Sequence, residues 1–144
     1  MLFRSTLPRG AGPALRFLAR LMPAVGFGAS SSGSMASDNA TARQTMAEDP
    51  LVLHTVRLDM VVGMVDLMDQ ALTDAARVPP NTLVLYGTHD GIIPQRPREM
   101  FLAALEPGVD VRVYSDGYHM LLRDLNAAAV IADITAWLER RTIP

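Results

Sequence analysis

The apolar positions between residues 56 and 140 alternate between two spacings. Met60, Met64, Leu67, Met68, Ala71, Leu72 and Ala75 recur at intervals of three and four, with Asp59, Asp66, Asp69 and Asp74 opposite them. This predicts one amphipathic helix from Val56 to Arg77, ended by Pro79-Pro80. Its apolar stripe belongs in a core or, for Met60, Met64 and Met68, along an apolar channel. Thr82-Leu-Val-Leu-Tyr86 is a short apolar run closed by Gly87, the pattern of a strand buried on both faces. A second helix is expected from Arg98 to Leu105, with Pro97 in its first turn and Pro107-Gly108 as its stop. Val111-Arg-Val-Tyr114 reads as another strand, followed by the turn Ser115-Asp-Gly117. The last helix, Ala127 to Arg140, puts Val130, Ile131, Ile134, Trp137 and Leu138 on one stripe behind Asn126 as N-cap. Upstream, Met46-Ala-Glu-Asp-Pro50 reads as a turn, because proline disfavours helix in the residue before it.

Strand, helix, strand is a βαβ unit, and a right-handed crossover makes its two strands parallel. Such a sheet carries helices on its faces and binds ligands beyond the carboxyl ends of its strands. Gly87-Thr-His-Asp90-Gly91 leaves the end of one strand, and Ser115-Asp-Gly-Tyr-His119 the end of the other. Neighbouring strands lie about 4.8 Å apart. A carboxylate and an imidazole on one sheet edge can therefore meet. Such an Asp orients the imidazole through Nδ1–H, and Nε2 is then free to take a proton from a hydroxyl.

Composition narrows the chemistry. The 144 residues are 49% hydrophobic and 19% charged, enough for the core of one domain or of part of a larger one. A net charge of −2 argues against a nucleic-acid partner. All 13 cations are Arg, which removes a Schiff-base lysine, a phosphate-loop lysine and a Ser–Lys pair. The absence of Cys removes disulfides, thiolate zinc sites and a cysteine nucleophile. His54, His89 and His119 lack metal-ligand spacing, so neither a metal nor another cofactor is expected. No continuous apolar run reaches the roughly 18 residues a spanning helix needs. Residues 1–37 stand apart: Arg4, Arg9, Arg16 and Arg20 occur there without an acid, together with Ser30-Ser-Ser-Gly-Ser34. That composition fits an organelle transit peptide, or a partly helical piece of a larger domain whose packing partners lie elsewhere. A secretory signal fits less well, because Arg16, Arg20 and Pro23 interrupt the apolar run.

Two blocks carry a family likeness. Leu83-Val-Leu-Tyr-Gly-Thr-His-Asp90-Gly-Ile-Ile-Pro94 and Val113-Tyr-Ser-Asp-Gly-Tyr-His119-Met-Leu-Leu-Arg-Asp-Leu125 resemble the acid and histidine blocks of α/β-hydrolases. The resemblance is to the monoacylglycerol lipase and lysophospholipase-like branch, the serine aminopeptidase-type hydrolases. Ser37-Asp-Asn39, Glu48-Asp-Pro-Leu51 and the helix holding Gly63 and Ala71 resemble the end of that family's cap, and Ile134-Thr-Ala-Trp-Leu138 its closing helix. The likeness covers residues 37 to 142. It implies an α/β fold: the last parallel strands of the hydrolase core with flanking helices, plus the end of a helical cap. Residues 38–78 would finish the cap and 79–144 would form the βαβα part of the core, with 1–37 a cap remnant or targeting-like segment. By the same likeness Asp90 is the triad acid and His119 the base, acting on a small ester or lipid.

Hydrolases of this kind place Ser before acid before His, in a Gly-x-Ser-x-Gly elbow. No such elbow occurs. The nearest string, Ala29-Ser-Ser31-Ser-Gly33, lacks context, since Pro23, Gly26 and Gly28 spoil a preceding strand and Met35-Ala-Ser-Asp-Asn39 does not open an apolar helix. The family's His-Gly oxyanion loop is missing too. The expected protein is thus a hydrolase portion without nucleophile or oxyanion hole, inactive alone. Its first core strand keeps a bare edge through which copies can self-associate. The alternatives are a non-catalytic interaction protein derived from a hydrolase, or one half of a two-chain hydrolase. The expected location is cytoplasmic, with peripheral membrane contact for a lipid substrate. His89 is expected to be an exposed turn residue, His54 structural, Asp116 a turn cap, and Tyr118 packed beside the site. Arg123 and Asp124 bridge loops without assigned chemistry.

Overall fold

The stretch read as one helix over 56–77 divides into three. In the computed structural model, which describes residues 11–28 and 35–142, Thr55–Arg57 is a strand, Leu58–Thr73 an α-helix and Ala75–Arg77 a single 3₁₀ turn. In chain order the elements are α1 (Ala11–Leu21), β1 (Gly26–Gly28), α2 (Ala40–Glu48), β2 (Thr55–Arg57), α3 (Leu58–Thr73), β3 (Leu83–Gly87), α4 (Gln95–Ala103), β4 (Asp110–Tyr114) and α5 (Ala127–Thr142). They form two compact units. One takes the described residues of 1–31, 50–78 and 96–106, the other those of 32–49, 79–95 and 107–144.

In the first unit, β1 pairs antiparallel with β2, Gly26 opposite Arg57 and Gly28 opposite Thr55. The two glycines, expected to spoil a strand, lie within one. A Cβ on Gly26 would stand 2.6 Å from the Thr55 methyl, whereas one on Gly28 would meet nothing within 4 Å. The apolar stripe of α3 is also not where periodicity alone put it. Val65 is buried and Val61, Val62, Met68 and Leu72 are half-buried, whereas Met60, Met64 and Leu67 are exposed. Arg16 of α1 places its guanidinium in a two-pronged contact on the Asp66 carboxylate. The pair is 38% and 44% exposed, so it contributes at most about 1 kcal/mol and accompanies the burial of Val65 and Ala19.

In the second unit, α2 runs through Met46 to Glu48, where a turn was expected. The Asn39 side chain caps it by accepting the Ala42 N–H at 3.2 Å. The break comes at Asp49, extended at φ −73° and ψ 116°, as the following Pro50 requires. β3 and β4 are parallel, in register from Leu83 opposite Asp110 to Gly87 opposite Tyr114, as a βαβ unit demands. Among the described residues this sheet has two strands, and here the expectation of burial on both faces fails. Leu83 to Tyr86 are only half-buried, and Val111 and Val113 are 41% and 53% exposed.

The other face of β4 holds α5 by matching two periods. Asp110, Arg112 and Tyr114 recur every second residue; Asp133, Trp137 and Arg141 recur every fourth. Tyr114 Oη donates to Asp133 Oδ2 at 2.9 Å, and Arg112 contacts Asp133 at 2.5 Å. Trp137 Nε1 and Arg141 donate to Asp110 Oδ2 at 2.6 and 2.7 Å. These contacts fix the rotation of α5, so that Val130 is buried while Ile131 and Leu138, expected on the same stripe, are exposed.

The Tyr114 hydroxyl, and after it Arg112, lower the carboxyl pKa of Asp133. A depressed folded-state value means stability present at neutral pH and lost as pH falls through that value. The difference in Tm between the wild-type chain and Asp133→Asn should therefore be present at neutral pH. It should close once the pH drops well below about 3.9, the free aspartate value. A difference that is the same at neutral and acid pH would show that the charge contributes nothing.

Candidate active site

Gly87 ends β3 and Gly117 follows β4, and both are buried because the two backbones cross almost in contact. A Cβ on Gly87 would lie 2.2 Å from both the carbonyl carbon and oxygen of Gly117. Hydrogen bonds then fasten one loop to the other. Thr88 N–H donates to Tyr114 O at 2.9 Å and His89 N–H to Gly117 O at 2.9 Å, and the Thr88 hydroxyl donates to Ser115 O. Backbone to backbone, the loop after β3 is held against the loop after β4.

Asp90 leaves the first loop with its side chain 4% exposed. Its Oδ1 accepts the N–H groups of Ile92 and Ile93 at 2.9 and 3.0 Å, an Asx-type turn that fixes the carboxylate plane. Its Oδ2 meets Nδ1 of His119, from the second loop, at 2.9 Å. Because Oδ2 is the acceptor, Nδ1 carries the hydrogen, and Nε2 is the ring nitrogen left to act as a base. The His119 side chain is 36% exposed, so the ring is reachable while its partner is not. A cleft of about 270 Å³ lies here, lined among others by Tyr86, Asp90, Ile93, Tyr118 and His119. The structure thus brings together the two residues that the sequence singled out.

The other candidates fall elsewhere. His89 is exposed, its ring 5.3 Å from that of Tyr118. Asp116 is exposed, with Oδ2 accepting from Ser115 Oγ at 3.4 Å. His54 is exposed. Ser31 lies outside the described residues. No group of three or more His, Asp or Glu among the described residues is arranged to hold a metal ion. No described helix is long and apolar enough to cross a membrane.

Two groups of residues around His119 were read from sequence without a part in the site. Asp124, left without a role, is buried at 5% exposure, and its Oδ2 accepts the Tyr118 N–H at 2.8 Å. Ala36 to Asp38 runs beside the histidine loop. Ala36 O accepts from Met120 N at 2.9 Å, Ser37 Oγ donates to Arg123 O at 3.2 Å, and Asp38 Oδ1 accepts from Leu125 N at 2.8 Å. The sequence signal was weak: a Ser-Asp-Asn run far from His119, and an acid five residues after it.

The serine aminopeptidase, S33, family matches residues 3–126. The chain belongs to this family of α/β hydrolases. The matched span includes residues 3–37, upstream of the stretch on which the likeness was read. Among solved structures, a monoacylglycerol lipase from Paleococcus ferrophilus superposes with a TM-score of 0.76 at 24% identity, over 92% of this chain and 52% of the lipase. A soluble variant of monoglyceride lipase from Saccharomyces cerevisiae, solved with a substrate analog, gives 0.72 at 14% identity, over 92% and 49%. Both establish the fold, an α/β hydrolase seen in part, and the chain spans about half the length of either lipase. No curated protein matches the chain.

The glycine crossing is open to test. Gly87→Ala should cost about 1–3 kcal/mol or more in a denaturant melt, because the methyl meets backbone rather than a movable side chain. Gly63→Ala is the contrast. In α3 its Cβ meets nothing within 4 Å. The exchange should stabilise by about 0.5–1 kcal/mol.

Proposed function

We propose that this chain carries the acid and base of a serine hydrolase of carboxylic esters, of monoacylglycerol lipase or lysophospholipase type. Its nucleophile and oxyanion donors are supplied by residues outside these 144. The observation that carries this reading is the 2.9 Å contact between Asp90 Oδ2 and His119 Nδ1 beyond the carboxyl ends of two parallel strands. Family membership and the lipase folds support the substrate class. Residues 1–37 are read as part of the cap, supported by the family match from residue 3 onwards.

The chemistry follows from the two ring nitrogens. Nε2 of His119 takes the proton of a serine hydroxyl as its oxygen attacks the ester carbonyl. Asp90 stabilises the imidazolium and keeps its orientation. The same Nε2–H then protonates the departing alcohol, leaving an acyl-enzyme, and a water attacks in the reverse order. Without the serine and the donors that stabilise the oxyanion, the chain alone should not turn over ester.

In a protein that joins these residues to a Gly-x-Ser-x-Gly segment, His119→Ala should lower kcat about 10⁴-fold or more. A loss under about tenfold would remove His119 from the chemistry. The isolated chain should not react with a fluorophosphonate probe.

A second reading has its own observation. The exposed Val111 and Val113, beside a two-stranded sheet, suit a face that docks another chain, either in a two-chain hydrolase or in a non-catalytic interaction protein. Recovery of esterase activity on mixing with a nucleophile-bearing fragment selects the first, and a specific complex without activity selects the second. In isolation the same face supports self-association. Tm should rise with protein concentration, and a monomer whose melting is independent of concentration would contradict this. Contact with a lipid surface fits the exposed Phe17, Leu18 and Leu21 of α1 and Met22 just after it.

A further inference from the structure

His119 sits between two residues whose backbone N–H groups are both committed. Tyr118 N–H donates to Asp124 Oδ2 at 2.8 Å, and Met120 N–H donates to Ala36 O at 2.9 Å. Asp124 closes the loop a second time, its own N–H donating to Met120 O at 3.1 Å. One residue thus grips the chain on both sides of the imidazole, through its side chain before His119 and through its backbone after it. That residue is a carboxylic acid at 5% exposure, and its Oδ1 has no hydrogen-bond partner among the described residues. Burying a carboxylate with one oxygen unmatched is costly.

We propose that Asp124 is a positioning residue for the base. It holds Tyr118 N–H, thereby fixes the backbone that carries His119, and so keeps Nδ1 at hydrogen-bond distance from Asp90. The segment Ala36–Asp38 holds the same loop from its other side through Met120, Arg123 and Leu125. Asp124 touches neither the ring nor a reacting atom. Its effect is geometric, and it matters because a displacement of about 1 Å at a catalytic group costs around 10²-fold in rate. The proposal rests on the reading of Asp90 and His119 as acid and base.

The test is spectroscopic and uses the full chain. In the wild type, the hydrogen bond to Asp90 should give His119 a slowly exchanging, low-field Nδ1–H resonance in proton NMR. Asp124→Ala should lose that resonance. Asp124→Asn keeps an amide oxygen for Tyr118 N–H and should retain it. Arg141→Ala, which loosens α5 on β4, should lower Tm but leave the resonance in place. If Asp124→Ala does not fold, Asp124→Glu carries the test. It moves the carboxylate outward by one methylene and should shift or broaden the same resonance. A wild-type resonance that persists unchanged in Asp124→Ala or Asp124→Glu overturns the positioning role and leaves the acid–base reading standing. Equal loss in Asp124→Ala and Arg141→Ala also overturns it, by reducing Asp124 to general stability. If the wild type has no such resonance, the Asp90–His119 pairing falls, and the role of Asp124 with it.

Discussion

Two glycines and the space they leave are the constraint on which the site depends. Asp90 and His119 are 29 residues apart and belong to different loops. They meet because Gly87 and Gly117 let two backbones cross where a single methyl on Gly87 would stand 2.2 Å from its neighbour. Parallel strands set the spacing of the loop origins, but strand spacing alone leaves two short side chains to find each other through flexible turns. The crossing removes that freedom. It also lets His89 N–H reach Gly117 O, so the loops are joined by main chain before any catalytic side chain is placed.

Once the backbones are fixed, the side chains are restrained in order. Asp90 is held by the two N–H groups of its own turn, and its remaining oxygen faces the imidazole. The histidine loop is fixed less by its own turn than by groups around it, Asp124 from within and Ala36 to Asp38 from alongside. Preorganisation of this kind gives a base its effect, because the ordering entropy is spent on folding and not at the moment of proton transfer. The exposure of the two partners has the same sense. The carboxylate is covered, while about a third of the imidazole side chain stays open.

β4 is polar on the side that α5 covers and apolar on the other, and Leu83 and Leu85 of β3 share the side of Asp110 and Arg112. Asp110, Arg112 and Tyr114 bind the helix through charge-assisted and hydroxyl contacts, whereas Val111 and Val113 remain exposed. An apolar strand face beside a two-stranded sheet is the surface that further strands and helices of an α/β hydrolase cover, and the chain spans about half of the lipases it superposes on. The exposed Met60, Met64 and Leu67 of α3 follow the same pattern in the other unit.

Local chemistry made much of this legible. The two parallel strands, the stop at Pro107-Gly108 and the terminal helix follow from runs, breakers and periodicity that act over a few residues. Asp90 and His119 stood out because their flanking blocks resemble a family. What stayed hidden were interactions between residues far apart in the chain. Periodicity located the helix of 58–73 but not its buried side, where Val65 is covered and Met60, Met64 and Leu67 are not. Gly26 and Gly28 read as breakers until Thr55 supplied a backbone to pair with. Asp124 read only as a loop bridge and Ser37 and Asp38 only as the end of a cap, and folding carries them to the chain beside His119. Sequence by itself located β3, β4 and α5 and singled out Asp90 and His119, since each is marked within a short segment. Tertiary structure decided which faces are buried and what holds the imidazole in place, because hydrogen bonds and close backbone approach are set by distance in space.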